Sequence, residues 1–393
     1  MAAAPRTGDW APGRPDFALI ALAAALTITG LVVVWSASFV IGLARFGDAN
    51  YYIFRQFIWA IAGTILMVVA MRIDYHIYRR YAMPIMLITI FMLIAVLVVG
   101  VEGNGARRWI GAGDLTIQPA EFAKLTVILY VAAWLQSKGP EQVRTWEGGL
   151  IPFVIIIGLV ATLIILEPSL GTTMIILVIT VTMFWVAGAS LVQMFALGAA
   201  GLLAVVMLAT LQGYRADRLT GFFHGEADPR GHGFQTLQAV MAIGNGGWNG
   251  LGLGASRGKF FYIPESHTDG VFAIIGEELG FIATVAVLGL YILLMIRGYQ
   301  VARRCRDDFG MLVAAGITTW ITAQALLNIG GITRVIPLTG VPLPFLSFGG
   351  NALAAVMLAM GVLISISRHQ DRGAYDDPDA AAHHRRIVRR RRA

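Results

Sequence analysis

Ten apolar runs recur along this chain, near 17–44, 53–71, 81–101, 119–136, 149–166, 171–188, 190–212, 269–296, 311–332 and 344–366. Each approaches or exceeds the length a helix needs to cross a hydrocarbon core of ~30 Å. The 171–188 and 190–212 runs nearly fuse, so nine or eleven spans also fit the pattern. The expected fold is an all-α integral membrane protein of about ten transmembrane helices. A tail at 1–16 precedes a polytopic domain at 17–368, and a basic tail at 369–393 follows it. Two connections are long, about 102–118 and 213–268, the second lying between spans seven and eight. Within it Phe234, Leu237, Val240 and Met241 recur at helical spacing, with Gln235 and Gln238 on a polar side. That spacing predicts a short helix lying in the membrane interface. Seven glycines between Gly244 and Gly258 then interrupt regular structure and let backbone N–H groups approach a ligand.

Composition agrees with the pattern. Hydrophobic residues make up 57% and charged residues 13%, where soluble domains average about 25% charged. The mean hydropathy is +0.71. The first run is long, and no small-residue cleavage site follows it, which argues against a cleavable signal. Six arginines in the last nine residues account for most of the net charge of +7. Beside a final span, such a tail holds the C-terminus in the cytoplasm rather than gripping nucleic acid. The single cysteine, Cys305, excludes an intrachain disulfide and a cysteine metal site.

Loop charges set the orientation. Arg72, Arg79 and Arg80 follow span two, Lys138 and Arg144 span four, and Arg297, Arg303, Arg304 and Arg306 span eight. With ten spans all of these face the cytoplasm together with both termini. The two long loops then face outward. The second carries Arg215, Arg218, Arg230, Arg257 and Lys259 against the usual bias. They are either scatter, which long loops tolerate, or, the preferred reading because they flank the Asp269 helix, anion ligands near lipid headgroups.

Four patches on that outer side carry chemistry. The first holds Arg107, Arg108 and Trp109, then Gln118-Pro119-Ala120-Glu121-Phe122-Ala123-Lys124. Glu121 and Lys124 are three apart on a helix and can pair inside the membrane. The second is the turn Glu167-Pro168-Ser169-Leu170-Gly171-Thr172. The third, Pro264 to Gly280, places Asp269 at the lip of a span, with Glu277 and Glu278 inside it. Each carboxylate in hydrocarbon costs at least ~2.5 kcal/mol, so three require a use. On an ideal helix Glu277 lies ~12 Å deeper than Asp269. Asp269 is therefore the wet carboxylate and the candidate for proton transfer, whereas Glu277 and Glu278 bond to neighbouring helices or backbone. His267, two residues earlier, orients or caps, because no second His or Cys stands at metal-ligand spacing. The fourth, Pro337 to Asn351 and including Ser347, reads as a broken helix lining a cavity. No Walker sequence, dinucleotide fingerprint or serine-hydrolase elbow is present.

Together, in order and spacing from about residue 17 to 368, these patches resemble the RodA/FtsW (SEDS) family of bacterial cell-wall polymerases. The Trp35-Ser36-Ala37-Ser38 end of span one fits as well. The resemblance implies a peptidoglycan glycosyltransferase acting on lipid II, with a class B penicillin-binding protein (a transpeptidase) as partner and no nucleic acid. It implies a multi-pass protein of the cytoplasmic membrane with an extracytoplasmic active site among membrane lipids. Asp269 matches the family's catalytic base. Glu121 and Lys124 match the functional pair of its Gln-Pro-x-Glu-Phe-x-Lys motif, and Trp109 the tryptophan after Gly-Ala-x-Arg. Departures are Ser169 for the usual Asp, Gly270 for Phe, Phe348 and Asn351 for Tyr and Ser, and the charge of Arg334. The chemistry of an inverting displacement needs a base for the acceptor hydroxyl and cations for the departing pyrophosphate. Lys124, Arg215, Arg218, Arg257 and Lys259 are the phosphate candidates. Substrate contacts are also expected from Arg108, Gln235, Gln238, His267 and Ser347. A divalent cation (Mg or Mn) can share that charge, although no residue pattern demands one. The Pro-Leu-Pro-Phe-Leu-Ser stretch leans toward the division branch. Competing readings are a lipid II flippase or other lipid-linked carrier, and a non-catalytic scaffold in which Asp269 caps a helix.

Overall fold

The computed structural model describes residues 13–103, 106–112, 115–211, 232–263 and 265–369. Among them are eleven α-helices and three short strands. In chain order the helices are α1 (Phe17–Phe46), α2 (Tyr51–Arg72), α3 (Tyr75–Val99), α4 (Pro119–Val143), α5 (Ile151–Leu166), α6 (Leu170–Val186) and α7 (Leu191–Leu211). Then follow α8 (His232–Gly246), α9 (Val271–Arg304), α10 (Asp308–Ile332) and α11 (Gly350–Arg368). Every apolar run overlaps one helix, and α8 is the eleventh. Seven are long and apolar enough to cross a membrane: α1, α2, α3, α5 with the π turn before it, α9, α10 and α11.

Aspartates fix three helix starts. Asp16, Asp74 and Asp307 accept backbone N–H bonds from Ala18, His76 and Gly310, satisfying donors that α1, α3 and α10 would otherwise leave open. Helices α10 and α11 form the centre of the bundle. Their hydrophobic windows are 78% and 83% buried, against 22% for α2 and α3, which face outward. Small residues allow the close contacts this requires: a Cβ on Gly361 of α11 would lie 2.4 Å from the Met67 carbonyl oxygen of α2.

The connection from α3 to α4 contains an antiparallel sheet that the hydrophobic pattern did not announce. Its strands are β1 (Val101–Gly103), β2 (Ala106–Ala112) and β3 (Leu115–Ile117), with Trp109 opposite Val101 and Ile110 opposite Ile117. The connection from α10 to α11 is irregular; its Leu343 to Ser347 part is buried in protein, as backbone at that depth must be, while Val335 and Gly340 are exposed. Tyr291 donates to the Pro344 carbonyl, and Gly30 of α1 passes so near Phe345 that a Cβ would lie 2.2 Å from its carbonyl oxygen.

One expectation needs correction. The 269–296 run is not one continuous helix: α9 breaks at Gly280, whose φ of 79° and ψ of −174° only glycine adopts readily. Helix α8 leaves part of its apolar stripe uncovered. Gln235, Ala239, Ala242 and Gly246 face inward, while Val240 and Met241 are exposed. From Gln235 near Asp269, α8 runs along α9 to the break, where a Cβ on Gly246 would meet the Gly276 oxygen at 1.9 Å. The glycine segment fills the break itself. Leu251 and Gly252 N–H donate to the Glu277 and Glu278 carbonyls, and Phe281 and Ile282 N–H donate to Gly247 and Trp248. These glycines thus supply close packing and the backbone partners that a broken helix lacks.

Candidate active site

The connections after α1, α3, α5 and α10 meet the start of α9 at one end of the bundle, around a cavity of about 710 Å³. Residues from all four patches line it. Arg108 and Trp109 come from β2, Glu121 from the first turn of α4, and Ser169 to Thr172 from the α5–α6 turn. Glu265, His267, Thr268 and Asp269 precede α9, and Leu338 to Pro342 and Phe348 to Asn351 flank the irregular segment. Gln235 reaches it from α8.

Amides inside the apolar helices hold this arrangement. On α10, Asn328 Nδ2 donates to the Asp269 carbonyl at 3.0 Å and to the Val341 carbonyl at 2.8 Å. Gln324 Nε2 donates to the Pro342 carbonyl at 2.8 Å. On α2, Gln56 donates to the Ser347 carbonyl and accepts from Gly349 N–H, both at 3.2 Å. Asp269 itself is partly exposed, in the turn just before α9. Glu121 is 4% exposed, and its carboxylate accepts from Lys124 Nζ at 2.9 Å. The ammonium also donates to Gln324 Oε1 at 3.1 Å and lies 4.9 Å from the Trp320 ring centre. Lys124 is therefore engaged beneath the cavity, with Glu121 between it and the open space.

His267 is buried between the Tyr52 and Phe348 rings. Burial pushes its imidazole below the ordinary range, opposed by the nearby Glu265. At the α5–α6 turn Arg108 Nε donates to the Glu167 carbonyl at 3.0 Å, and a terminal nitrogen donates to the Pro168 carbonyl. The Glu167 side chain is fully buried, and neither oxygen has a hydrogen-bond partner among the described residues. Burial raises its carboxyl to about 8, the neighbouring Arg108 pulling the other way. Ser169 Oγ donates to Thr172 Oγ1 at 2.8 Å, so the hydroxyl that replaces the usual carboxylate closes the turn locally.

Not every candidate arrives at this cavity. Lys259 is fully buried and paired with Glu278 at 2.8 Å, and its ammonium lies 4.7 Å from the Phe39 ring centre. Ser347 Oγ accepts from Leu343 N–H and closes a turn. Gln238 and Arg257 line a separate hollow. Those placements correct the grouping of these residues with the site. Arg215 and Arg218 lie outside the described residues. Glu277 and Glu278 serve structure: Glu277 accepts from Ser256 Oγ and from the Arg257 and Gly258 N–H groups, and Glu278 from Ser36 and Lys259. Arg45 and Arg55 line the cavity and were missed. Their signal was available, as two arginines flanking the short turn after span one. No group of three His, Cys, Asp or Glu side chains gathers as a metal site among the described residues.

These features define a polytopic helical membrane protein with a deep polar cavity at one end of its bundle. The family model for FtsW, RodA and SpoVE, described as cell cycle protein, matches residues 17–372. Stage V sporulation protein E of Bacillus subtilis is 40% identical over 357 residues, covering 90% of this chain and 97% of its own. A probable peptidoglycan glycosyltransferase FtsW of Trichlorobacter lovleyi is 36% identical over 354 residues, covering 90% of this chain and 93% of its own. A solved structure concerning coordination of polymerization and crosslinking by a peptidoglycan synthase complex contains a similar chain, with a TM-score of 0.74 and 28% identity. That match covers 91% of this chain and 99% of the other. The chain belongs to the FtsW/RodA/SpoVE family.

Proposed function

We propose that this chain polymerises lipid II into β-1,4 glycan strands at the extracytoplasmic face of the membrane, with Asp269 as the base. Membership of the family supports the broader description, a peptidoglycan glycosyltransferase of the bacterial cytoplasmic membrane. One observation carries the finer reading: a single cavity brings the partly exposed Asp269 together with Arg45, Arg55 and Arg108.

In the reaction, the acceptor sugar's 4-hydroxyl oxygen bonds to the anomeric carbon of the donor. Its proton passes to the Asp269 carboxylate. The bond from that carbon to the pyrophosphate oxygen breaks, and undecaprenyl pyrophosphate leaves with the bonding pair. The displacement inverts an α-linked donor into a β linkage in one step. Arginines are suited to the departing charge because a guanidinium binds phosphate oxygens in a planar, two-pronged fashion. Glu121, held by Lys124, presents a carboxylate to a sugar hydroxyl or to a divalent cation that shares the phosphate charge. The partner in this reading is a class B penicillin-binding protein, which cross-links the strand. Both termini lie in the cytoplasm.

The test is a reaction of purified full-length protein with lipid II, with and without a cognate transpeptidase. Muramidase-sensitive polymer and undecaprenyl pyrophosphate released in step with it are expected. Movement of lipid II across vesicle membranes without either product would replace the proposal with lipid transport.

A further inference from the structure

A second hollow, of about 400 Å³, lies between α8, the π turn at Gly258–Tyr262 and α9. It shares no lining residue with the larger cavity. Gln238, Asn245 and Arg257 line it, and their side chains make no hydrogen bond or ion pair among the described residues. The one acidic group lining it is Glu277, which is 1% exposed. Its carboxylate is taken up by the Ser256 hydroxyl and by the Arg257 and Gly258 N–H groups at 3.0 and 3.2 Å. Behind it, Glu278 is matched by Lys259. The charge left without a counterpart is the Arg257 guanidinium.

The rim of this hollow is apolar. Met241 and Phe260 line it and are 49% and 51% exposed. In a membrane protein such side chains face acyl chains. Glu277 lies six residues into α9, ~9 Å along its axis from the first residue at 1.5 Å per residue. An apolar rim at that distance from the helix end, with a cation and two amides above it, matches the boundary between headgroups and acyl chains.

We propose that this hollow binds the phosphate of a membrane lipid headgroup. Arg257 and the Gln238 and Asn245 amides donate to its two non-bridging oxygens, and the acyl chains lie on Met241 and Phe260. Bound there, a lipid fastens α8 to the broken part of α9. The site is separate from the reaction cavity, and its occupancy does not depend on the reaction proposed above.

Phosphatidylglycerol titrated into delipidated full-length protein in detergent, with bound lipid counted by native mass spectrometry, tests this. One tightly held lipid is expected, with affinity about tenfold weaker in Arg257→Gln and reduced also in the Gln238→Ala/Asn245→Ala pair. Arg45→Gln, in the other cavity, leaves it unchanged. Arg257 is exposed, so the thermal midpoint of its variant stays that of the wild type. Equal affinity in Arg257→Gln overturns the proposal. So does loss of the lipid in Arg45→Gln, which would place it in the larger cavity, or its displacement by inorganic phosphate, which would make this a free-anion site.

Discussion

Replacing Lys124 by methionine leaves the Glu121 carboxylate 4% exposed and without the ammonium 2.9 Å away. Removing one member of a buried pair costs about 3–5 kcal/mol, because the remaining charge has lost its compensation. The rest of the neighbourhood softens this little. Gln324 Oε1 loses its ammonium donor at 3.1 Å but keeps the Trp320 indole N–H at 2.8 Å. The double variant Glu121→Gln/Lys124→Met removes both charges at similar volume and should recover most of the loss, to within about 1–2 kcal/mol of wild type. The cycle should therefore give a coupling of at least about 2 kcal/mol. Reversible unfolding in mixed micelles, followed by tryptophan fluorescence, measures stability, with polymerisation assayed in parallel. A stable but inactive double variant is expected, since the cavity has lost its Glu121 carboxylate. Additive losses, with the double variant as unstable as the sum of the singles, would refute the view that the two charges stabilise each other.

Gly280→Ala forces a Cβ onto a backbone of φ 79°, 2.3 Å from the Gly250 nitrogen and 2.5 Å from the Trp248 oxygen. A lowered thermal midpoint is expected, from about 1–3 kcal/mol of strain plus the displaced glycine segment; an unchanged midpoint would deny the break. Glu167 titrates at about 8 when folded against an ordinary 4.5, so the folded state holds its proton more tightly than the unfolded chain does. The stability it contributes is full below 4.5 and is lost as pH rises to about 8. Thermal midpoints of wild type should fall across that window relative to Glu167→Gln, and parallel profiles would contradict the buried, partnerless carboxyl.

The hydrophobic pattern alone located every long helix, because each span must be apolar over its full length and its ends must be polar. Asp269, Glu121 and Trp109 were legible for a related reason: a charge or a polar motif stands out against so apolar a background. The β1–β3 sheet was not, since its strands are short and its alternation is weak. The break at Gly280 was hidden because one glycine in an apolar run looks the same whether the helix continues or stops. What decides it is the glycine segment thirty residues earlier, which supplies the missing backbone partners. Lys259 shows the opposite failure. A basic residue in an outer loop reads as an anion ligand until the fold places Glu278 against it. Asn328 and Gln324, whose amides hold the backbone around Asp269, sit in an apolar run where an amide has two readings, helix packing or support of a site.

The account rests most heavily on Asp269, so the decisive measurement compares wild type with Asp269→Asn in polymerisation of purified lipid II, beside a cognate transpeptidase. Asparagine keeps the size and the capping ability of the side chain but cannot take the proton. The account predicts long glycan strands from wild type and none from a variant that folds and retains lipid II binding. Equal strand formation by both would contradict it and remove Asp269 from the chemistry.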